Sequence, residues 1–178
     1  MLDTLITSKT RIKLLLKFFL NSKSESYLRN LEEEFGESSN AIRVELNKFE
    51  KAGLLDSRLL GNKKLFRANT SHPLFPDIHS LLLKHIGFDH IIEKVVNNLG
   101  EVKKVFLVGK LANGINTDII DLIFVGGDIN KTYLVELIEK AEKMIHRNIR
   151  YLVFSSAEIE AYIEQHTDKE ILLLWKQE

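Results

Sequence analysis

The stretch from Tyr27 to Ala68 constrains the fold more than any other part of the chain: two short amphipathic segments, each stopped by a glycine, and then two strand-like runs around a basic turn. In YLRNLEEEF, Leu28, Leu31 and Phe35 recur at helical spacing, so one face is apolar, and Gly36 ends the segment. Ser38 or Ser39 then offers an N-cap oxygen to a second helix, which Gly53 stops just past its last periodic residue. Ile42, Leu46 and Phe49 form the inner stripe of that helix. Asn40, Arg43, Asn47 and Lys51 form an outer stripe that carries no acid. Beyond Gly53, Leu-Leu-Asp-Ser-Arg-Leu-Leu and Leu-Phe-Arg-Ala flank Gly61-Asn62-Lys63-Lys64, the pattern of a hairpin with a basic tip.

Helix, turn, helix, hairpin in that order resembles the winged helix-turn-helix DNA-binding domains of the ArsR-like bacterial regulators, and LNKFEKAGLLDSRLLGNKKLFRAN carries most of the likeness. The resemblance implies a second helix in the major groove of double-stranded DNA and a wing against the backbone or minor groove. It gives the groove-facing role to Ser38, Ser39, Asn40, Arg43 and Asn47, and the phosphate role to Arg58, Lys63, Lys64 and Arg67. The residue types suit those roles, because Arg and Asn form paired hydrogen bonds with base edges and Lys neutralises phosphate. Winged helices also serve as protein docks, and charge alone does not separate the two uses.

Composition narrows the class. A chain of 178 residues with 44% hydrophobic and 28% charged side chains is globular and long enough for one large or two small domains. It has no cysteine, which excludes disulfides and thiolate metal sites. His79, His85 and His90 are spaced so that they do not stack on one helical face, and neither a metal nor a cofactor is expected. No run approaches the ~20 apolar residues of a spanning helix, and no stretch has signal-peptide order; a cytoplasmic chain with no membrane partner is expected. The net charge of zero hides an asymmetry. Residues 1–84 hold 14 Lys and Arg against 10 Asp and Glu, whereas residues 85–178 hold 11 against 15. The basic half is the one with the hairpin pattern, as a polyanionic partner requires.

Around that core, Ser8 to Leu20 reads as a first helix with Ile12, Leu15, Leu16 and Phe19 inward and Lys9, Arg11, Lys13 and Lys17 around them; Asn21 to Ser26 reads as a loop. Pro73 and Pro76 mark a boundary, and Asp77 to Ile86 follows as a connecting helix. In ArsR-like proteins such a helix commonly pairs two subunits, so the resemblance implies a homodimer on a palindromic operator. Helices are expected from Asp89 to Leu99, from Asn130 to His146, from Ser156 or Ala157 to Gln165, and from a Thr167 cap through Trp175. Lys104 to Gly109, Ile119 to Gly126 and Ile149 to Phe154 read as buried strands. The fold class is therefore α+β: a winged helix-turn-helix domain with its connecting helix at 1–84, then a small α/β domain at 85–178.

The segment VFLVGKLANGINTDIIDLIFVGGD resembles the nucleotidyltransferase superfamily of the minimal, DNA-polymerase-β-like kind. Members carry Gly-Ser and then Asp-x-Asp on a strand, whose period of two puts both carboxylates on one face to hold two cations. Here Gly109 matches, but Lys110 replaces the serine. Asp118 and Asp121 are three apart and would face opposite ways in one strand, and Asn148-Ile-Arg-Tyr-Leu-Val-Phe supplies no third acid. Gly109, Lys110, Asp118 and Asp121 then read as a vestigial nucleotide site, without metal or catalytic residues, that could still favour a nucleotide or other small anionic effector. The sequence thus points to a DNA-binding transcriptional regulator with a degenerate nucleotidyltransferase-like second domain. The alternatives are an active metal-dependent nucleotidyltransferase targeted by its winged helix, and a winged-helix protein adaptor.

Overall fold

Leu14 to Leu20 offers no polar face except at Lys17, and the chain buries this run on every side. The computed structural model describes residues 2–99, 101–166 and 171–177 of a mixed α+β chain that divides into two units, Met1–His85 and Ile86–Glu178. In the first unit a short helix α1 (Leu2–Leu5) precedes α2 (Lys9–Leu15), capped by Ser8 and continued by a π-helical turn over Leu16–Leu20. Phe18, Phe19 and the four leucines of the run Leu14–Leu20 are all in the core. Lys17, expected on a solvated flank, is instead buried with its Nζ 2.8 Å from Glu34 Oε2. A buried cation is tolerated only with such a partner.

Two further ion pairs fasten α2 to the segments behind it. Arg11 Nε lies 2.8 Å from Glu45 Oε2, and Lys13 Nζ lies 2.6 Å from Glu37 Oε1. They seat α3 (Leu28–Phe35) and α4 (Ser39–Lys51), the helix pair expected from the apolar periodicity. Ser38 caps α4 by accepting a hydrogen bond from the Ala41 amide at 3.3 Å, and Ile42, Leu46 and Phe49 face the core.

The hairpin forms from β2 (Leu55–Leu60) and β3 (Lys63–Ala68). Leu60 pairs with Lys63 across a two-residue turn in which Gly61, at φ +61°, takes the first position as type II′ turns demand. The stretch before α3, expected as loop, ends in a strand: β1 (Glu25–Tyr27) pairs antiparallel with β3, giving the order β1-β3-β2. Three residues are too few for a period of two to show in sequence. Helix α5 (Phe75–His85) starts two residues earlier than expected, with Pro76 in its first turn, where a missing N–H costs nothing. Its Phe75 ring lies 5.8 Å from that of Phe19, and His79 Nδ1 is 2.8 Å from the Phe19 carbonyl oxygen.

The second unit begins with α6 (Phe88–Lys94) and a 3-10 turn over Val96–Asn98, where one helix was expected. A four-stranded sheet follows: β4 (Val102–Val108), the short α7 (Gly109–Ala112), β5 (Ile119–Gly126), α8 (Lys131–Ile145), β6 (Asn148–Phe154), α9 (Glu158–Glu164) and β7 (Ile171–Lys176). The order is β6-β5-β4-β7, with β5 and β6 parallel and the other pairs antiparallel. Strand β7 replaces the expected last helix; its Thr167 cap lies outside the described residues. A short apolar run such as ILLLWK fits either state, and here it pairs with the backbone groups along one side of β4. Phe106, Ile123 and Val125 share one sheet face, covered by Ile159 of α9. Among the described residues no helix is long and apolar enough to cross a membrane.

The Glu45 pair makes the first unit sensitive to acid. The hydrogen bond from Arg11 holds the Glu45 carboxyl below the usual carboxylate range. The folded value being the lower, the stabilisation is complete above the unfolded value of about 4.3 and is lost as pH falls through the folded one. Glu45→Gln should therefore lower the melting temperature at pH 7 and flatten its decline in acid; melting curves that track wild type at every pH would show that the pair contributes nothing.

Candidate nucleic-acid interface

Glu50, in the last turn of α4, fixes where the hairpin stands. It accepts hydrogen bonds from Ser57 Oγ of β2 at 2.5 Å and from Lys64 Nζ of β3 at 2.7 Å. The Lys64 contact, followed by that of Ser57, holds the Glu50 carboxyl low. By alternation Lys64, Phe66 and Ala68 share the face of β3 that turns toward α4, and Leu65 and Arg67 share the other. Between the helix and the hairpin lies a groove of about 530 Å³. Helix α4 contributes Ser39, Arg43 and Asn47; the start of α3 contributes Arg29 and Asn30 beside Tyr27; the hairpin tip contributes Asn62, Lys63 and Lys64.

Five of the residues singled out in the sequence therefore meet in one place: Ser39, Arg43, Asn47, Lys63 and Lys64. Ser38 is exposed with its hydroxyl engaged as the N-cap, and Asn40 is exposed in the first turn of α4 without lining the groove. Arg58 and Arg67 are not gathered with the rest. They flank a separate hollow of about 80 Å³ with Glu25 and Asp56. Arg58 Nη2 is 3.2 Å from both carboxylate oxygens of Glu25, and Arg67 Nη2 is 3.9 Å from Asp56 Oδ2.

Charge in the groove is unevenly committed. Lys64 is held by Glu50, and the Arg29 Nε sits 3.7 Å from Glu33. Arg43 and Lys63 have no carboxylate partner among the described residues; the Lys63 ammonium lies 5.8 Å from the centre of the Tyr27 ring. One acid, Glu32, also lines the groove, its Oε1 without a hydrogen-bond partner among the described residues; against it, two free cations beside three carboxamides make a surface that can both neutralise phosphate and exchange paired hydrogen bonds with base edges. Sequence reasoning missed Tyr27, Arg29, Asn30 and Asn62. Asn62 stood in the turn motif all along, but the others join the groove only through the docking of α3 beside the unforeseen β1.

In the second unit, Gly109 stands at φ +71°, and a Cβ there would come within 2.7 Å of Asp121 Oδ2. Asp121, on β5, is mostly buried and lies in register with Arg150 of β6, whose Nε is 2.6 Å from Asp121 Oδ1. That hydrogen bond raises the Arg150 pKa above its ordinary value. Lys110 is exposed in α7. Asp118 precedes β5 and lines a different hollow, with Glu139, Glu142 and His146 of the α8 end. The two aspartates are thus not brought together. The metal pair implied by a nucleotidyltransferase likeness needs converging carboxylates. Here a guanidinium already neutralises Asp121, and among the described residues no group of three or more His, Asp or Glu could hold a metal ion. These residues do not fit that metal pair.

No protein-family model matches the sequence, and no curated protein does. Solved structures that overlap parts of the chain include reduced HlyU from Vibrio cholerae, with a TM-score of 0.37 and 17% identity over 47% of this chain and 82% of that one. AF1382 from Archaeoglobus fulgidus gives 0.38 and 16% over 46% and 93%. A candidate nucleotidyltransferase from Sulfolobus solfataricus gives 0.37 and 24% over 56% and 86%. At these scores the overlap is partial, and any functional reading rests on the chain's own residues.

Proposed function

We propose that the chain is a DNA-binding transcriptional regulator of the ArsR-like winged-helix kind, acting by occupancy of a promoter. The Met1–His85 unit would be its DNA-binding domain, with α4 in the major groove and the hairpin beside it, and the Ile86–Glu178 unit an inactive nucleotidyltransferase-like domain. One observation carries the proposal: Arg43 and Asn47 of α4 and Lys63 of the hairpin tip line a single groove, with both cations free of carboxylate partners among the described residues. Ser38, Ser39 and Asn40 would approach from the exposed start of the same helix. Arg58 and Arg67 would reach phosphate only by exchanging Glu25 and Asp56 for it, which sets them behind Lys63 and Lys64 in importance. A homodimer formed through α5 would present two such grooves to a palindromic operator. Lys110, exposed in α7 beside Gly109, would give the second unit an affinity for a small anionic effector such as a nucleotide.

Two predictions separate this proposal from its rivals. On DNA from the gene's own upstream region, Arg43→Ala should cost about 1–3 kcal/mol, and Lys63→Ala should reduce the salt slope by about one, whereas Arg58→Ala should change the slope little. Fluorescence anisotropy across a salt series reads all three, and absence of binding even at low salt would leave the groove a protein dock. Offered labelled nucleoside triphosphates with Mg²⁺ or Mn²⁺, the chain should transfer none; metal-dependent incorporation that disappears in Asp121→Ala would make it an enzyme instead.

A further inference from the structure

The hairpin tip carries two leucines that the fold of its own unit does not use. Leu59 is 74% exposed and Leu60 47% exposed, at the end of β2. They form the last two rungs of the hairpin, Leu59 opposite Lys64 and Leu60 opposite Lys63, just before the turn at Gly61-Asn62. Neighbours along a strand point to opposite faces, so each face of the tip carries one leucine beside a lysine. The lysines do not screen them. Lys64 Nζ leans back to Glu50 at 2.7 Å and lies 5.3 Å from the Phe66 ring centre, and Lys63 Nζ lies over Tyr27. Lys64 Nζ is thus drawn toward Glu50 and Lys63 Nζ toward Tyr27, and both leucines remain exposed.

Nothing in the strand pattern calls for these residues. Leu55 and Leu65 already supply β2 and β3 with core contacts, while Asp56 and Arg58 are exposed. A tip chosen only for solubility would be polar. We infer that the wing tip is an apolar wedge that enters the minor groove of duplex DNA and partly unstacks a base step. This rests on the proposed DNA-binding role and deepens it. The charge beside the tip favours this occupant over a protein surface, because Leu60 stands opposite Lys63, which has no carboxylate partner among the described residues and lines the groove that holds Arg43 and Asn47. Apolar side chains inserted between base steps, with cations on the adjoining phosphates, are a known way to kink DNA. The step selected would be one that unstacks easily, a pyrimidine–purine step, with the Asn62 carboxamide placed to meet the acceptors of the minor-groove floor.

The test uses the full chain and a short duplex enriched by it from a random pool, labelled at both ends for energy transfer and carrying 2-aminopurine at its pyrimidine–purine steps. Wild type should shorten the end-to-end distance and brighten one 2-aminopurine. Leu59→Ser with Leu60→Ser should melt as wild type does, bind about tenfold more weakly, leave the duplex straight and dark, and keep the wild-type salt slope. A variant that bends the duplex as wild type does would overturn the wedge, and a changed oligomeric state with unchanged bending would assign the leucines to a second copy. If wild type enriched no duplex at all, the DNA-binding role itself would fall and the wedge with it; if it enriched one but left it straight, only the wedge would fall.

Discussion

The groove depends on how the hairpin is seated: Leu55, Leu65, Phe66 and Ala68 bury its root in the core, and one carboxylate, that of Glu50, ties both its strands to α4. A two-stranded hairpin is marginal by itself, and Glu50 gives it a fixed seat by accepting from Ser57 on one strand and Lys64 on the other. The contact spans both strands and so adds to the core packing that orients the hairpin against α4. Behind it, Arg11–Glu45, Lys13–Glu37 and Lys17–Glu34 hold α2 against the helix pair, and β1 adds a third strand at the far side of β3. The groove is therefore built before any ligand arrives, which reduces the ordering cost of binding.

The same interactions explain which parts could be read from the sequence. Helix α4 was legible because its signals are local: a serine cap, an apolar stripe at Ile42, Leu46 and Phe49, and a glycine stop. The hairpin was legible because its turn chemistry is local too. Lys17 was not, since its period places it outward and only the tertiary packing of α3 brings Glu34 over it. Nor does the sequence show that Arg58, expected at phosphate with Arg67, lies beside Glu25 of a strand too short to foresee. The last strand looks helical in sequence because an apolar run of that length has no decisive period, and the pairing side of β4 decides the matter.

The second unit shows a different relation between sequence and site. Its glycine at 109 and aspartate at 121 stand close together. What the linear motif could not show was the parallel register of β5 and β6, which sets Arg150 directly beside Asp121. Arg150 neutralises Asp121, and the remaining acid, Asp118, lies with the α8 end. The basic surplus of residues 1–84 and the acidic surplus of the rest support the proposed nucleic-acid role of the first unit.

The most direct test of the groove as a nucleic-acid interface is amide hydrogen exchange of the full chain with and without an enriched duplex. Slower exchange confined to the start of α3, to α4 from Ser39 to Asn47 and to the hairpin tip from Leu60 to Lys64 is the predicted result. Unchanged exchange in those segments while DNA is bound, or protection centred on Glu25, Asp56 and Arg67 instead, would contradict it.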